Sequence, residues 1–159
     1  MAQKITPFLW FDTQAEEAAR FYVSIFKNAE VTHINHLGEA GPSHNGANMV
    51  VAFRLDGQEY LALNGGPQFT FNEAVSFEVA CTDQDEVDYY WEKLTEGGGE
   101  PGPCGWLKDK FGLSWQIIPT ILNDYIRDAD PVKANRVFQA MLQMGKIEIA
   151  PLQAAYSQD

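Results

Sequence analysis

Basic residues are scarce in this chain. Eleven Lys and Arg face 22 Asp and Glu, for a formal net charge of −11. The few cations are scattered singly, and so acidic a surface repels phosphate backbones, which excludes nucleic acid as an expected partner. Cysteine is nearly absent: Cys81 and Cys104 are too few for a disulfide framework and fit a reducing compartment. Long hydrophobic runs are missing as well. The opening "MAQKITPFLWFDTQ" meets Asp12 after a short apolar stretch, so it reads as neither a signal peptide nor a membrane span. A soluble, cytoplasmic protein with no membrane partner is the expectation.

Histidine is equally sparse, at three residues. His33 and His36 lie three apart on an expected strand, so their side chains leave by opposite faces, and His44 sits in the loop "GEAGPSHNGAN". They read as surface histidines rather than a metal site. Nor is there a glycine-rich turn leading from a strand into a helix, as a doubly wound nucleotide or S-adenosylmethionine site requires. Gly97-Gly98-Gly99 follows a helix, and Asn64-Gly65-Gly66 ends a strand before Pro67.

What the chain does contain is a globular composition: 159 residues, 45% hydrophobic and 21% charged, enough for a real core. It also holds a concealed repeat. "KITPFLWFD" reads as a strand, and a helix follows in which Thr13 and Glu16 have the form of a capping box. Ala18, Phe21, Tyr22 and Ile25 recur there at helical spacing. "AEVTHINHLG", "NMVVAFRLDG" and "QEYLALNGG" read as three more strands, with Asp56-Gly57 as a hairpin turn. The order then begins again with "AVSFEVACT" and a helix carrying Val87, Tyr90, Trp91 and Leu94, each 69 residues after its counterpart. Thr82 with Asp85 resembles the first cap.

The second copy closes with "CGWLKD" and "LSWQIIP", a hairpin turning at Asp109-Lys110-Phe111-Gly112, while its third strand is indistinct. The expected fold class is α+β: two paired βαβββ modules enclosing a cleft, plus a C-terminal helical extension. One domain is expected over residues 1–159, with module one at 1–70, module two at 71–120 and a helical tail at 121–159. Asp130 before Pro131 marks the start of a tail helix with Val137, Phe138, Met141 and Met144 on one stripe. "IEIAPLQAAY" is expected to add a last short turn, and the stripe to cover core or a dimer seam.

"FDTQAEEAARFYVSIF", "DEVDYYWEKLTEGG" and above all "CGWLKDKFGLSWQIIP" resemble the PhnB-like branch of the vicinal-oxygen-chelate superfamily, which includes glyoxalase I, extradiol dioxygenases and bleomycin-resistance proteins. That branch is often labelled 3-demethylubiquinone-9 3-methyltransferase domain. The resemblance extends over almost the whole chain, the stretch "DPVKANRVFQAMLQMGKI" included. It implies a homodimer with a small-molecule cleft and, in metal-dependent relatives, four ligating side chains. Carried over by strand register, those positions are Pro7, Ala62, Ser76 and Gln116. Proline and alanine side chains offer no donor atom, so no metal and no other cofactor is expected.

Alternation assigns Leu9, Phe11, Tyr60, Ala62, Asn64, Ser76, Glu78, Ala80, Ser114, Gln116 and Ile118 to the cleft face. The expected ligand-binding residues are Phe11, Tyr60, Asn64, Ser76, Glu78, Trp106 and Gln116; Trp106 walls either the cleft or a dimer seam. Glu78 is the candidate general acid or base, with a pairing to Arg54 or exposure to solvent at the cleft rim as the plainer alternative. Cys104 reads as a structural thiol rather than a nucleophile. The expected function is binding of a small, partly apolar molecule without the superfamily's metal. The alternatives are a metal-independent enzyme using Glu78, or the methyltransferase activity of the family label.

Overall fold

The computed structural model describes residues 3–39, 41 and 48–158, and the chain divides after Phe71 into two compact units. In the first unit, β1 (Phe8–Phe11) leads into α1 (Ala15–Ile25), followed by β2 (Glu30–Gly38), β3 (Asn48–Leu55) and β4 (Gln58–Asn64). The strands form one sheet in the order β1-β4-β3-β2, with β1 parallel to β4 and the other pairs antiparallel. The hairpin between β3 and β4 turns at Asp56 and Gly57, both at positive φ (47° and 78°), the geometry that matches the twist of the flanking strands.

The second unit repeats this plan. β5 (Ser76–Cys81), α2 (Gln84–Thr95), β6 (Glu100–Pro101), β7 (Trp106–Lys108) and β8 (Ser114–Pro119) form a sheet in the order β5-β8-β7-β6. The indistinct strand is β6, two residues long. α1 starts at Ala15 and α2 at Gln84, 69 residues apart, so the repeat inferred from side-chain spacing is a repeat of structure. The fold is thus α+β, with two four-stranded sheets and βαβββ order in each unit.

The helix caps differ from expectation. Thr13 does not cap α1: the N-cap position is Gln14, without a side-chain bond. Asn64, at the end of β4, supplies the missing acceptor, its Oδ1 receiving the Ala15 N–H at 2.8 Å. In α2 the cap is Asp83 rather than Thr82. Asp83 accepts from the Glu86 N–H, and Glu86 reaches back to the Thr82 N–H and hydroxyl. After α2, Gly99 N–H bonds to Thr95 O, and the glycine run ends the helix as expected.

The tail holds three helices rather than one and a turn: α3 (Thr120–Ile126), α4 (Pro131–Met141) and α5 (Ile149–Ser157). Asp130 caps α4 as expected, accepting from the Val132 and Lys133 N–H groups with Pro131 in the first turn. Val137, Ile147, Leu152 and Leu122 close into a buried cluster with Ile118 of β8, and Met141 and Met144 pack against it. Phe138, placed on the same stripe from sequence, is exposed instead.

Backbone bonds from Cys104 N–H to Met144 O and from Gly105 N–H to Gly145 O tie the tail to the start of β7. A side chain at Gly105 would meet Ile117 O, Ile118 and Ile147 at 3.0–3.1 Å, and its φ of +82° also suits glycine. Gln84 adds a further tie, donating to Ile147 O and accepting from the Ile149 N–H. No helix among the described residues is long and apolar enough to cross a membrane.

Candidate ligand-binding site

In the first unit the helix face of the sheet is set by aromatic stacking. Tyr22 of α1 stacks on Phe53, and Phe53 on Tyr60, with centroids 6.2 and 5.4 Å apart. Tyr60 shares its face with Ala62 and Asn64 by alternation, and Leu9 and Phe11 pair in register with Ala62 and Asn64. All five are buried. Phe11, Tyr60 and Asn64 therefore lie on the α1 side, which corrects the face assigned to them from sequence.

The opposite face of this sheet carries Phe8, Trp10, Leu61 and Leu63, with Phe8 53% exposed. Trp10 lies over Gly65, donates its indole N–H to Gly66 O at 2.9 Å, and meets Phe69 edge to face. Arg54 pairs with Glu30 and Glu59 in its own sheet. Burial pushes the Tyr60 hydroxyl above its ordinary pKa.

In the second unit alternation places the residues as expected, except at one end. Phe77 packs on Trp115 at 5.6 Å, and Cys81, Trp115 and Ile117 are buried with Val87, Tyr90 and Leu94 of α2 among the core residues. The other face is ordered in two rows across the strands. Ser76, Ser114, Lys108 and Glu100 make one row; Glu78, Gln116 and Trp106 make the next. Gln116 Nε2 donates to Ser76 Oγ at 2.9 Å, so these two predicted residues are in direct contact. Trp106 stands beside Gln116 in register and is half-buried. Ile118 departs from the pattern because the tail cluster has taken it into the core.

Glu78 lies at the exposed edge of the row, and Asn123 of α3 donates to its Oε1 at 3.4 Å. Cys104 occupies a turn at φ +55°, and its N–H is spent on the tail. The Cys81 thiol is buried, and burial, with Glu86 and Asp83 nearby, pushes its pKa up to about 12.

A hollow of about 360 Å³ opens on the first row, lined among others by Pro101, Pro103, Trp106, Lys108, Glu73 and Ser114. Lys108 forms an ion pair with Glu73. That hydrogen bond holds the Glu73 carboxyl below the usual carboxylate range and raises the Lys108 ammonium above its own. Ser114 was assigned to this face from sequence, but nothing in the sequence singled it out. Its hydroxyl is wholly buried and has no hydrogen-bond partner among the described residues.

The positions at which relatives hold a metal do not fit one here. Ala62 is buried on the helix face, Pro7 contributes only a carbonyl that accepts from the Leu61 N–H, and the Ser76 hydroxyl receives Gln116. Correcting the face of β1 and β4 brings forward Phe8, Trp10, Leu61 and Leu63, none of which carries a metal-binding lone pair. Among the described residues no three His, Cys, Asp or Glu gather at one point. His33 bonds to Asn35 and, like His36, is exposed, whereas His44 lies outside the described residues.

Comparison with known proteins follows this geometry. The family described as 3-demethylubiquinone-9 3-methyltransferase matches residues 3–118, which leaves the three tail helices outside the match. A solved PhnB protein from Bacillus cereus, described by the same methyltransferase name, is 36% identical. The alignment covers 74% of this chain and 99% of that one, with a TM-score of 0.64. The protein PA1353 from Pseudomonas aeruginosa is 17% identical over 74% of this chain and 98% of its own, with a TM-score of 0.59. The fosfomycin resistance protein FosX from Mesorhizobium loti shares the fold at 11% identity, with coverage of 74% and 90% and a TM-score of 0.54. No curated protein matches the chain.

Proposed function

The chain belongs to the 3-demethylubiquinone-9 3-methyltransferase (PhnB-like) family, and from that premise we propose that it binds a small, partly apolar molecule on the open face of its second sheet, without a metal. The observation that carries this reading is the contact between Gln116 and Ser76 beside the half-buried Trp106. It joins a fixed pair of hydrogen-bonding groups to an aromatic wall, the combination typical of small-molecule sites. Phe11, Tyr60 and Asn64 drop out of the site because packing and capping in the first unit already occupy them.

Metal-free binding is supported by the donor chemistry at Pro7, Ala62, Ser76 and Gln116. Glu78 serves at the rim in this reading, held by Asn123 and open to water. The methyltransferase name is not carried over as an activity, since no strand-to-helix glycine turn is present to receive a nucleotide-like cofactor. Fosfomycin, named for the structural neighbour at 11% identity, is not carried over either. A homodimer completes the reading, with the exposed Val132, Phe138 and Leu142 of the tail as apolar surface for it. Light scattering on the purified protein checks that part.

The binding reading is tested by nuclear magnetic resonance on the whole protein, titrated with small neutral probes such as indole, cyclohexanone and benzyl alcohol. The side-chain amide of Gln116 and the indole N–H of Trp106 should shift together, and Gln116→Leu should weaken binding. Glu78→Gln should leave affinity unchanged. If no probe moves either resonance, the reading fails.

A further inference from the structure

The hollow on the first row has one wall with nothing to donate. Pro101 and Pro103 carry no backbone N–H, and the Gly102 N–H between them is spent on Trp106 O. Three consecutive residues therefore offer hydrocarbon to the space but no free N–H. Ser114 lies beneath with no exposed surface, so its hydroxyl is out of reach of anything in the hollow. The charges lean the same way. Glu73, Glu100 and Lys108 line the hollow, and two carboxylates exceed one ammonium by a single negative charge. Lys108 is committed to Glu73, whereas Glu100 stands opposite Lys108 on the edge strand and is exposed.

Trp106 supplies the remaining element. It is half-buried beside the two prolines, and the negative π face of an indole is the best aromatic partner for a cation. The space of about 360 Å³ stands near the lower end of the roughly 300–1,000 Å³ range of small-molecule sites. An anion placed there meets the excess carboxylate. A bare ammonium group carries three N–H donors and needs as many acceptors held around it, which proline and indole do not provide. An alkylated nitrogen needs none, and its hydrocarbon gains by burial against those same walls.

We propose that this hollow takes a small alkylated ammonium cation, its alkyl groups against Trp106, Pro101 and Pro103 and its charge balanced by Glu100. This rests on the reading of the open face as a binding surface and adds the charge class of the ligand. The Lys108–Glu73 pair stands at the hollow as a polar border that contributes no net charge. The chain's net charge of −11 draws such a cation from solution.

The experiment compares choline with 3,3-dimethyl-1-butanol on the unaltered protein at low ionic strength, reading affinity from the Trp106 indole resonance. The alcohol has carbon in place of nitrogen and keeps the shape and the hydroxyl, so anything the indole N–H donates to that hydroxyl cancels and charge alone differs. Choline should bind roughly two- to fivefold more tightly than the alcohol, and added salt should narrow the gap. The anion 3,3-dimethylbutanoate should bind most weakly. Glu100→Gln should remove most of the preference for choline. Glu92→Gln, at an exposed position of α2 on the opposite face of the sheet, should leave it in place. Equal loss from the two changes shows the overall charge at work and overturns the role of Glu100. Equal binding of choline and the alcohol, with Trp106 shifting for both, overturns the cation assignment yet leaves the binding face standing. Butanoate binding as tightly as choline overturns it as well. Absence of any Trp106 shift overturns the proposal, and the broader screen at Gln116 then decides the parent reading separately. The comparison of choline with the alcohol needs no variant, so it decides the matter even if Glu100→Gln fails to fold.

Discussion

The indole N–H of Trp115 donates to Asp109 Oδ2 at 2.9 Å, and both residues are buried. The other carboxylate oxygen accepts the N–H groups of Phe111 and Leu113, so one aspartate organises the whole turn between β7 and β8. Gly112 completes that turn at φ +85°. The stretch that gives the chain its family resemblance is therefore a hairpin wound around Asp109, with Trp115 as its fixed point.

Replacing Asp109 by alanine removes these acceptors and strands the indole N–H in the core. The expected destabilisation is about 2–4 kcal/mol, since hydrogen bonds to a charged group are worth more than neutral ones. Urea denaturation measures it directly. A loss below the error of that method would show that the turn holds without its aspartate.

Asn64→Ala tests the cap supplied from β4. The first amide of α1 then loses its acceptor, at a cost of about 1 kcal/mol. Thr13→Ala, at the position that the sequence pattern favoured, should change stability by a few tenths of a kcal/mol at most. Equal effects from the two changes would reverse the assignment made from the Asn64–Ala15 bond.

Cys81 gives the protein an alkaline dependence. Its pKa is raised on folding from 9.0 to about 12, so the folded state holds the thiol proton more tightly than the unfolded chain does. The corresponding stability is fully present below the unfolded value and is lost as pH rises through the interval toward 12. Cys81→Ala should flatten that part of the profile. Denaturation midpoints measured from neutral pH upward, for the native chain and the variant, would diverge if this is correct.

Metal removal should leave the protein as it was. Chelation is expected to change neither the thermal midpoint nor the affinity for the neutral probes, because two of the four inherited positions have no side-chain donor. Elemental analysis giving one zinc, nickel, manganese or iron per chain, with a chelator lowering the midpoint, would contradict this.

The repeat was legible because identical spacing of Ala18, Phe21, Tyr22 and Ile25 with Val87, Tyr90, Trp91 and Leu94 reflects two helices packing on their sheets in one manner. The faces were legible only where polarity alternates. In "SFEVAC" serine and glutamate mark one side, and the structure agrees. In "FLWF" and "YLAL" both sides are apolar, so alternation carried no sign, and Phe11 and Tyr60 were placed on the wrong one. Asn64 was read as a binding residue because its partner, Ala15, lies 49 residues away and no local pattern announces a cap of that kind. Ser114 was beyond sequence for a related reason. An orphaned hydroxyl is defined by which neighbours are already engaged, and only the assembled rows reveal that.

The bonds from Cys104 and Gly105 to Met144 and Gly145 also govern the order of events during synthesis. The first unit holds all its strands before residue 72 and can complete its sheet while the chain is still being made. The second cannot finish in the same way. Ile118 stays uncovered until Ile147 and Leu152, 29 and 34 residues further on, leave the ribosome, so the newborn chain carries an open apolar seam over that interval. That interval, rather than the finished protein, is where a chaperone would have most to protect.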